Sequence, residues 1–397
     1  MDRDLAVAAE DGNVTVSKPS SEAMAGAKVE LGELGAEIKH RLPALRALTS
    51  LRFFAAMHVV IYHLASGHIS PRIPLLGNLI GSGYTGVSLF FILSGFILAY
   101  NYNDRAAIDR REFWISRFAR IYPVYVIALL LGFAWVFAPA SPVADHLLLR
   151  LGLSATLLQT WYPPFAGSFN GPGWTLSVEA FFYALFPFLL VWMRRVGDLA
   201  LTVFCAVYVA ALGVPVLMHA VAPASHAAFD TAYYLTWGTL PLVHLPMFVI
   251  GIYLGIRYLK QGEPRSSWPL LLGGAGSLVL LCLDPTELYA PLRKAFLVVT
   301  YAGLIYGLAS VRRGWMTNRW MVLGGEISFS IYILQMPVMR AVLGVTRRFG
   351  VRESIADTLV LLVLVGLSFL AYRFIELPAR VAIRSRLTHR PVALSRI

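Results

Sequence analysis

Apolar residues gather in eleven runs, at about 50–67, 83–102, 121–140, 145–161, 174–193, 198–219, 237–259, 268–284, 294–311, 320–343 and 356–376. Most hold about 18 to 24 residues, the length a helix needs to cross a hydrocarbon layer of roughly 30 Å. Within each run the apolar positions are continuous instead of alternating, which argues against a membrane β-barrel. The fourth run, HLLLRLGLSATLLQTW, is short and carries Arg150. The loops on either side of it lack Lys and Arg, so a re-entrant or interfacial helix is expected there. The pattern therefore predicts an all-α integral membrane protein, a polytopic bundle of about ten transmembrane helices plus that one short segment.

Basic residues test the count. KHRLPALR, NDRAAIDRREFWISRFAR, MRRVGD, RYLKQGEPR, VRRGWMTNR and ARVAIRSRLTHR all fall on one side of a ten-span arrangement. The opposite loops are poorer in Lys and Arg, with VTRRFGVRES the clear exception. By the positive-inside rule the basic side is cytoplasmic, and both termini lie there. Residues 1–44 mix charged, Ser, Gly and Ala positions without the apolar core of a signal peptide, and are expected as a disordered cytoplasmic tail. Residues 45–380 form the membrane domain, and 381–397 a basic cytoplasmic tail.

Composition agrees with this division. Of the 397 residues 57% are hydrophobic and 14% charged, against the roughly 25% charged of soluble domains. The formal charge of +12 sits in short loops and forms no basic stripe with interleaved aromatics, so nucleic acid is not an expected partner. Cys205 and Cys282 each lie inside an apolar run, without the spacing of a metal or disulfide frame, and no metal site is expected.

Ionisable residues within apolar runs are functional candidates, because each is costly in hydrocarbon unless paired or hydrated. In LRFFAAMHVVIYHLASGH, Arg52 and His63 are eleven residues apart and share a helix face, roughly 16 Å apart along the axis. His58 points elsewhere, and His68 falls in the following loop. A histidine oriented by a carboxylate suits proton removal from a hydroxyl. In GPGWTLSVEAFFYALFP, Glu179 supplies a carboxylate expected in the same membrane half as His63, with Tyr183 one turn away. Arg117 and Arg120 in FWISRFARIYPVY, followed by Tyr122 and Tyr125 at the membrane surface, suit an anionic ligand arriving from the cytoplasm, such as a nucleotide-bearing acyl carrier. In GGEISFSIYILQMP, Ser328, Tyr332 and Gln335 form a polar helix stripe.

These segments, with GYTGVSLFFILSGFILAY and YRFIELPAR, resemble the membrane-bound acyltransferase-3 family over about Leu48 to Arg380. Its pattern of a basic residue, ten residues and a histidine is met by Arg52 and His63, and its Arg-x-x-Arg by Arg117 and Arg120. The resemblance implies an integral-membrane O-acyltransferase with His63 and Glu179 catalytic and Arg52, Arg117, Arg120 and Tyr122 handling the donor. Trp174, Ser177, Tyr183, Ser328, Tyr332 and Gln335 would line a cavity or acceptor site. Gln335 stands where many members carry His. The implied co-substrate is acetyl-CoA or another acyl-CoA, with no tightly bound cofactor. The implied acceptor is a hydroxylated glycan, such as lipopolysaccharide, exopolysaccharide or peptidoglycan, or a secondary metabolite such as a macrolide. The location would be the bacterial inner membrane. The chain ends soon after its last apolar run, so no appended hydrolase-like domain is expected. A proton-coupled transporter would also use intramembrane His and Glu, but no second copy of either segment is found. A structural subunit that binds glycan or lipid would leave His63 and Glu179 without a role.

Overall fold

The computed structural model of the chain describes residues 42–65, 73–103, 108–137, 145–211, 238–264, 266–283 and 290–387. The expected N-terminal tail up to position 41, His68 and the chain from 388 onward lie outside them. Two units are distinguished, Met1–Ala44 and Leu45–Ile397, and the second carries everything below.

Among the described residues the regular structure is helical throughout. In chain order the helices are α1 Arg46–Ala65, α2 Pro74–Gly81, α3 Gly86–Tyr102, α4 Arg110–Phe133, α5 Leu147–Ala155, α6 Trp174–Arg195 and α7 Asp198–Ala211. They continue with α8 Pro241–Gln261, α9 Trp268–Cys282, α10 Ala290–Leu308, α11 Arg319–Arg348 and α12 Glu353–Ala371. A π-helical turn, Tyr372–Glu376, joins α12 to α13 Leu377–Leu387. Seven stretches are long and apolar enough to cross a membrane: 46–65, 74–102, 110–133, 171–195, 241–261, 319–348 and 353–387. The expected figure of about ten is therefore met in part. α7 and α9 are apolar but hold only 14 and 15 residues, and α10 carries Arg293 and Lys294 near its start.

Small residues set the closest helix contacts, as expected where lipid leaves packing to decide association. A Cβ on Gly251 of α8 would stand 2.0 Å from the Ile92 carbonyl oxygen of α3, and one on Gly95 2.2 Å from that of Phe248. A Cβ on Gly325 of α11 would meet the Thr49 carbonyl oxygen at 1.9 Å. Further along the same pair His63 reaches Gln335, so α1 and α11 run parallel. Gly251→Val is accordingly expected to separate α3 from α8 and abolish folded protein, read as loss of the monodisperse peak in detergent. A normal peak and melting point would contradict this packing account.

The short fourth run folds as α5, nine residues and about 13 Å long, followed by three-residue 3-10 turns at Gln159–Trp161, Pro163–Phe165 and Gly171–Gly173. Too short to cross, it turns back beside α4, where Tyr122 and Tyr125 donate to the Ala155 and Ser154 carbonyls at 2.9 and 2.7 Å. Both tyrosines sit near the middle of the 24-residue α4, so the segment reaches well into the bundle.

Prolines anchor it and its neighbours. Pro337 inside α11 has no N–H to give the Ile333 carbonyl, and Asn170 Nδ2 fills that vacancy at 2.8 Å. Pro187 inside α6 frees the Tyr183 carbonyl in the same way, and Trp114 Nε1 of α4 donates to it at 3.0 Å. An unpaired carbonyl costs several kcal/mol in hydrocarbon. Each proline thus enforces one inter-helix contact.

Candidate active site

Helices α1, α3, α4, α6 and α11 surround a cavity of about 120 Å3. Arg52 comes from α1, Arg117 and Arg120 from one face of α4, Glu179 and Tyr183 from successive turns of α6, and Ser328 and Tyr332 from α11. The fifth wall is the apolar face of α3, including Phe90 and Phe91, interrupted by Ser94. Tyr183 donates to Glu179 Oε1, and Ser94 donates to the same oxygen at 3.4 Å.

The guanidinium groups are less well served. Among the described residues, Arg52, Arg117 and Arg120 make no ion pair and no hydrogen bond to a protein group. Arg117 lies over the rings of Phe113 and Tyr183, at 5.7 and 5.9 Å, and its Nε is buried without a partner. Buried donors and charges are ordinarily paired. Three forks around one cavity that are not so paired have the chemistry to bind an anionic group.

The π-helical turn brings a further pair to this cluster. Glu376 is fully buried, accepts from Arg380 and is reached by Ser330 Oγ at 3.3 Å. Arg380 lies within electrostatic range of Arg117 and Arg120, and Glu376 within range of Arg52. Sequence reasoning matched YRFIELPAR to the family but gave these two residues no role, although a Glu four residues before an Arg inside an apolar run was a visible signal. Ser94 was missed for lack of any pattern.

His63 stands one turn of α11 from Tyr332. Its Nδ1 is 2.9 Å from Gln335 Oε1, and Gln335 Nε2 donates to the Tyr332 carbonyl at 2.7 Å. A carbonyl accepts only, so the Gln335 amide has its nitrogen toward Tyr332 and its oxygen toward His63. An amide oxygen also accepts only, so Nδ1 carries the ring proton and Nε2 keeps its lone pair. Gln335 fixes the tautomer that a general base needs. Replacing it with Leu is expected to lower turnover by about 10- to 100-fold through loss of ring orientation, with donor affinity unchanged. Equal loss of both in kinetic and binding assays would contradict this role.

The expected arrangement is changed in four places. Glu179 bonds Tyr183 and Ser94, not His63, because the turns at 159–173, tied to α11 through Asn170, set the start of α6 and bring Glu179 to the arginines' cavity. Tyr122 leaves the cavity for Ala155. Ser177 is a buried staple, its Oγ 2.6 Å from Thr160 Oγ1 and donating to the Leu157 carbonyl. Trp174 packs on Phe91 and His244 and is not among the cavity residues.

A family model described as an acyltransferase domain matches residues 45–373. The acyltransferase MdmB of Streptomyces mycarofaciens is 31% identical over 76% of this chain and 80% of its own length. The putative peptidoglycan O-acetyltransferase YrhL of Bacillus subtilis is 25% identical over 84% of this chain, and O-acetyltransferase OatA of Staphylococcus aureus 25% over 85%. The chain spans little more than half of these last two, 54% and 57% of their lengths. No solved structure matches.

Proposed function

The chain belongs to the acyltransferase-3 family of O-acyltransferases, and on that premise we propose that it moves an acetyl group from acetyl-CoA, across the inner membrane's cytoplasmic half, to a hydroxyl of a cell-envelope saccharide. Family membership removes the transporter reading. One observation carries the donor assignment: three guanidinium forks, on α1 and α4, that border one cavity and hydrogen-bond no protein group among the described residues. With both termini cytoplasmic, as the basic loops indicate, these forks lie nearer the cytoplasm than His63 and hold the donor's phosphates.

Arg52 and His63 share a stripe about 16 Å long on α1, along which the donor's arm extends toward the histidine. His63 Nε2 takes the proton from the acceptor hydroxyl as that oxygen attacks the thioester carbonyl. The C–O bond forms and the C–S bond breaks. The leaving thiolate receives the proton from Nε2, so CoA departs as a free thiol and the ring returns to its starting tautomer. Glu179, held by the Tyr183 hydroxyl, offsets part of the positive charge around the cavity.

The test is equilibrium binding of acetyl-CoA to the full chain in nanodiscs as ionic strength is varied. Saturable binding that weakens as salt rises and is displaced by CoA supports the reading. Absence of binding to well-folded protein, with longer acyl-CoA donors also tried, would overturn it.

A further inference from the structure

Phe91 lines the arginine cavity, and on it packs a second group of polar residues that the mechanism above does not use. The Phe91 ring centroid is 6.3 Å from Trp174 and 5.2 Å from His244, and Trp174 and His244 are 5.3 Å apart. Trp174 opens α6, and His244 lies in the first turn of α8. Lys294, near the start of α10, is within electrostatic range of His244. Three helix beginnings thus meet at one place.

Their polar atoms are unsatisfied. His244 is 5% exposed. Its Nε2 lies 3.0 Å from the Gly238 carbonyl, so Nε2 carries the proton and Nδ1 is a bare acceptor. That Nδ1 is buried without a partner, as is the hydroxyl of neighbouring Thr239. The half-buried Trp174 indole N–H and the Lys294 ammonium also hydrogen-bond no described residue. Leaving one buried polar group unpaired costs about 1–3 kcal/mol. Two such atoms beside a half-buried indole N–H and a cation make this junction suited to a polar ligand.

The donor and acceptor types restrict the ligand. A fully ionised anion satisfies Lys294 and the indole but has no hydrogen to give His244 Nδ1. A neutral apolar molecule satisfies none. Adjacent hydroxyls do both, because each donates once and accepts twice, and the C–H face of a sugar ring packs against an indole. We propose that Trp174, Thr239, His244 and Lys294 form the acceptor subsite and bind a saccharide ring through neighbouring hydroxyls. The inference rests on the O-acyltransferase reading and adds the residues that select its acceptor. Phe91 then stands between the sugar and the donor cavity.

Saturation-transfer NMR on the full chain in nanodiscs tests this, with glucose, galactose, N-acetylglucosamine and glucuronate as probes and acetyl-CoA binding measured in parallel. At least one sugar is expected to bind saturably in the millimolar range. Lys294→Met and Thr239→Val should each weaken it at least fivefold with acetyl-CoA affinity unchanged, and His244→Phe should abolish it. If that last variant fails to fold, the first two decide. Protein that binds acetyl-CoA but none of the four sugars, or sugar binding unchanged in both milder variants, overturns the subsite and leaves the donor reading intact. Loss of acetyl-CoA binding by the unmodified chain would instead strike the reading on which it rests.

Discussion

His63→Ala is expected to abolish acetyl transfer, by roughly 100- to 10,000-fold, the usual worth of a positioned general base. The geometry makes this a test of chemistry more than of folding. Among the described residues His63 is joined to the rest of the bundle by one side-chain hydrogen bond, to Gln335, and Gln335 retains its bond to the Tyr332 carbonyl when the ring is removed. The structural cost is one amide oxygen left unpaired, about 1–3 kcal/mol, which a melting curve would register as a modest shift. Donor affinity should be untouched, because the arginine forks approach the cavity from α4 and from the other end of the α1 stripe. The measurement is O-acetyl content of envelope glycans in cells producing the variant, set beside acetyl-CoA binding by the same variant in nanodiscs. Near-normal O-acetylation would remove His63 from the reaction. Loss of both activities would mean that its role is to shape the donor site.

The helices were legible because the bilayer imposes one length and one pattern on anything that crosses it. Each long run became a helix, and the short fourth run, marked by Arg150 and by flanking loops without Lys or Arg, became the nine-residue α5. Arg52, Arg117 and Arg120 could be grouped from sequence because all three lie on one side by charge and at helical spacing. Glu179, expected in the membrane half of His63, lies with the arginines instead. Its level depends on where α6 begins, and that is set by Asn170 reaching across to the carbonyl that Pro337 frees. Such a contact joins positions more than 160 residues apart and leaves no local pattern. Tyr122 and Ser177 were misjudged for the same reason, since both are taken up in holding the turned-back segment. Glu376 and Arg380 owe their place to a π-helical turn, a register change of the kind often found at functional sites.

Replacing Arg117 and Arg120 together with Met is expected to reduce acetyl-CoA affinity by 100-fold or more, while Arg120→Met alone should leave the ligand-free protein as stable as before or more so. The two effects follow from one arrangement. Hydrogen bonds to charged groups are worth about 1.5–3 kcal/mol each, so removing two forks from a bound phosphate removes several kcal/mol of binding. Among the described residues the same forks hydrogen-bond no protein group, and four guanidiniums are gathered near two carboxylates, Glu179 and Glu376. Their mutual repulsion and lost hydration oppose folding. Arg120 makes none of the ring contacts that Arg117 has with Phe113 and Tyr183, so its charge can be removed at little packing cost, and Met fills much of the same volume. Binding and melting curves on the same preparations separate the outcomes. If Arg120→Met lowers the melting point by several degrees and leaves affinity intact, the arginine is a structural member of the bundle, and the cavity is not where the donor's phosphates bind. Lower affinity with an unchanged or raised melting point is the signature of a site whose charge is held in waiting for its ligand.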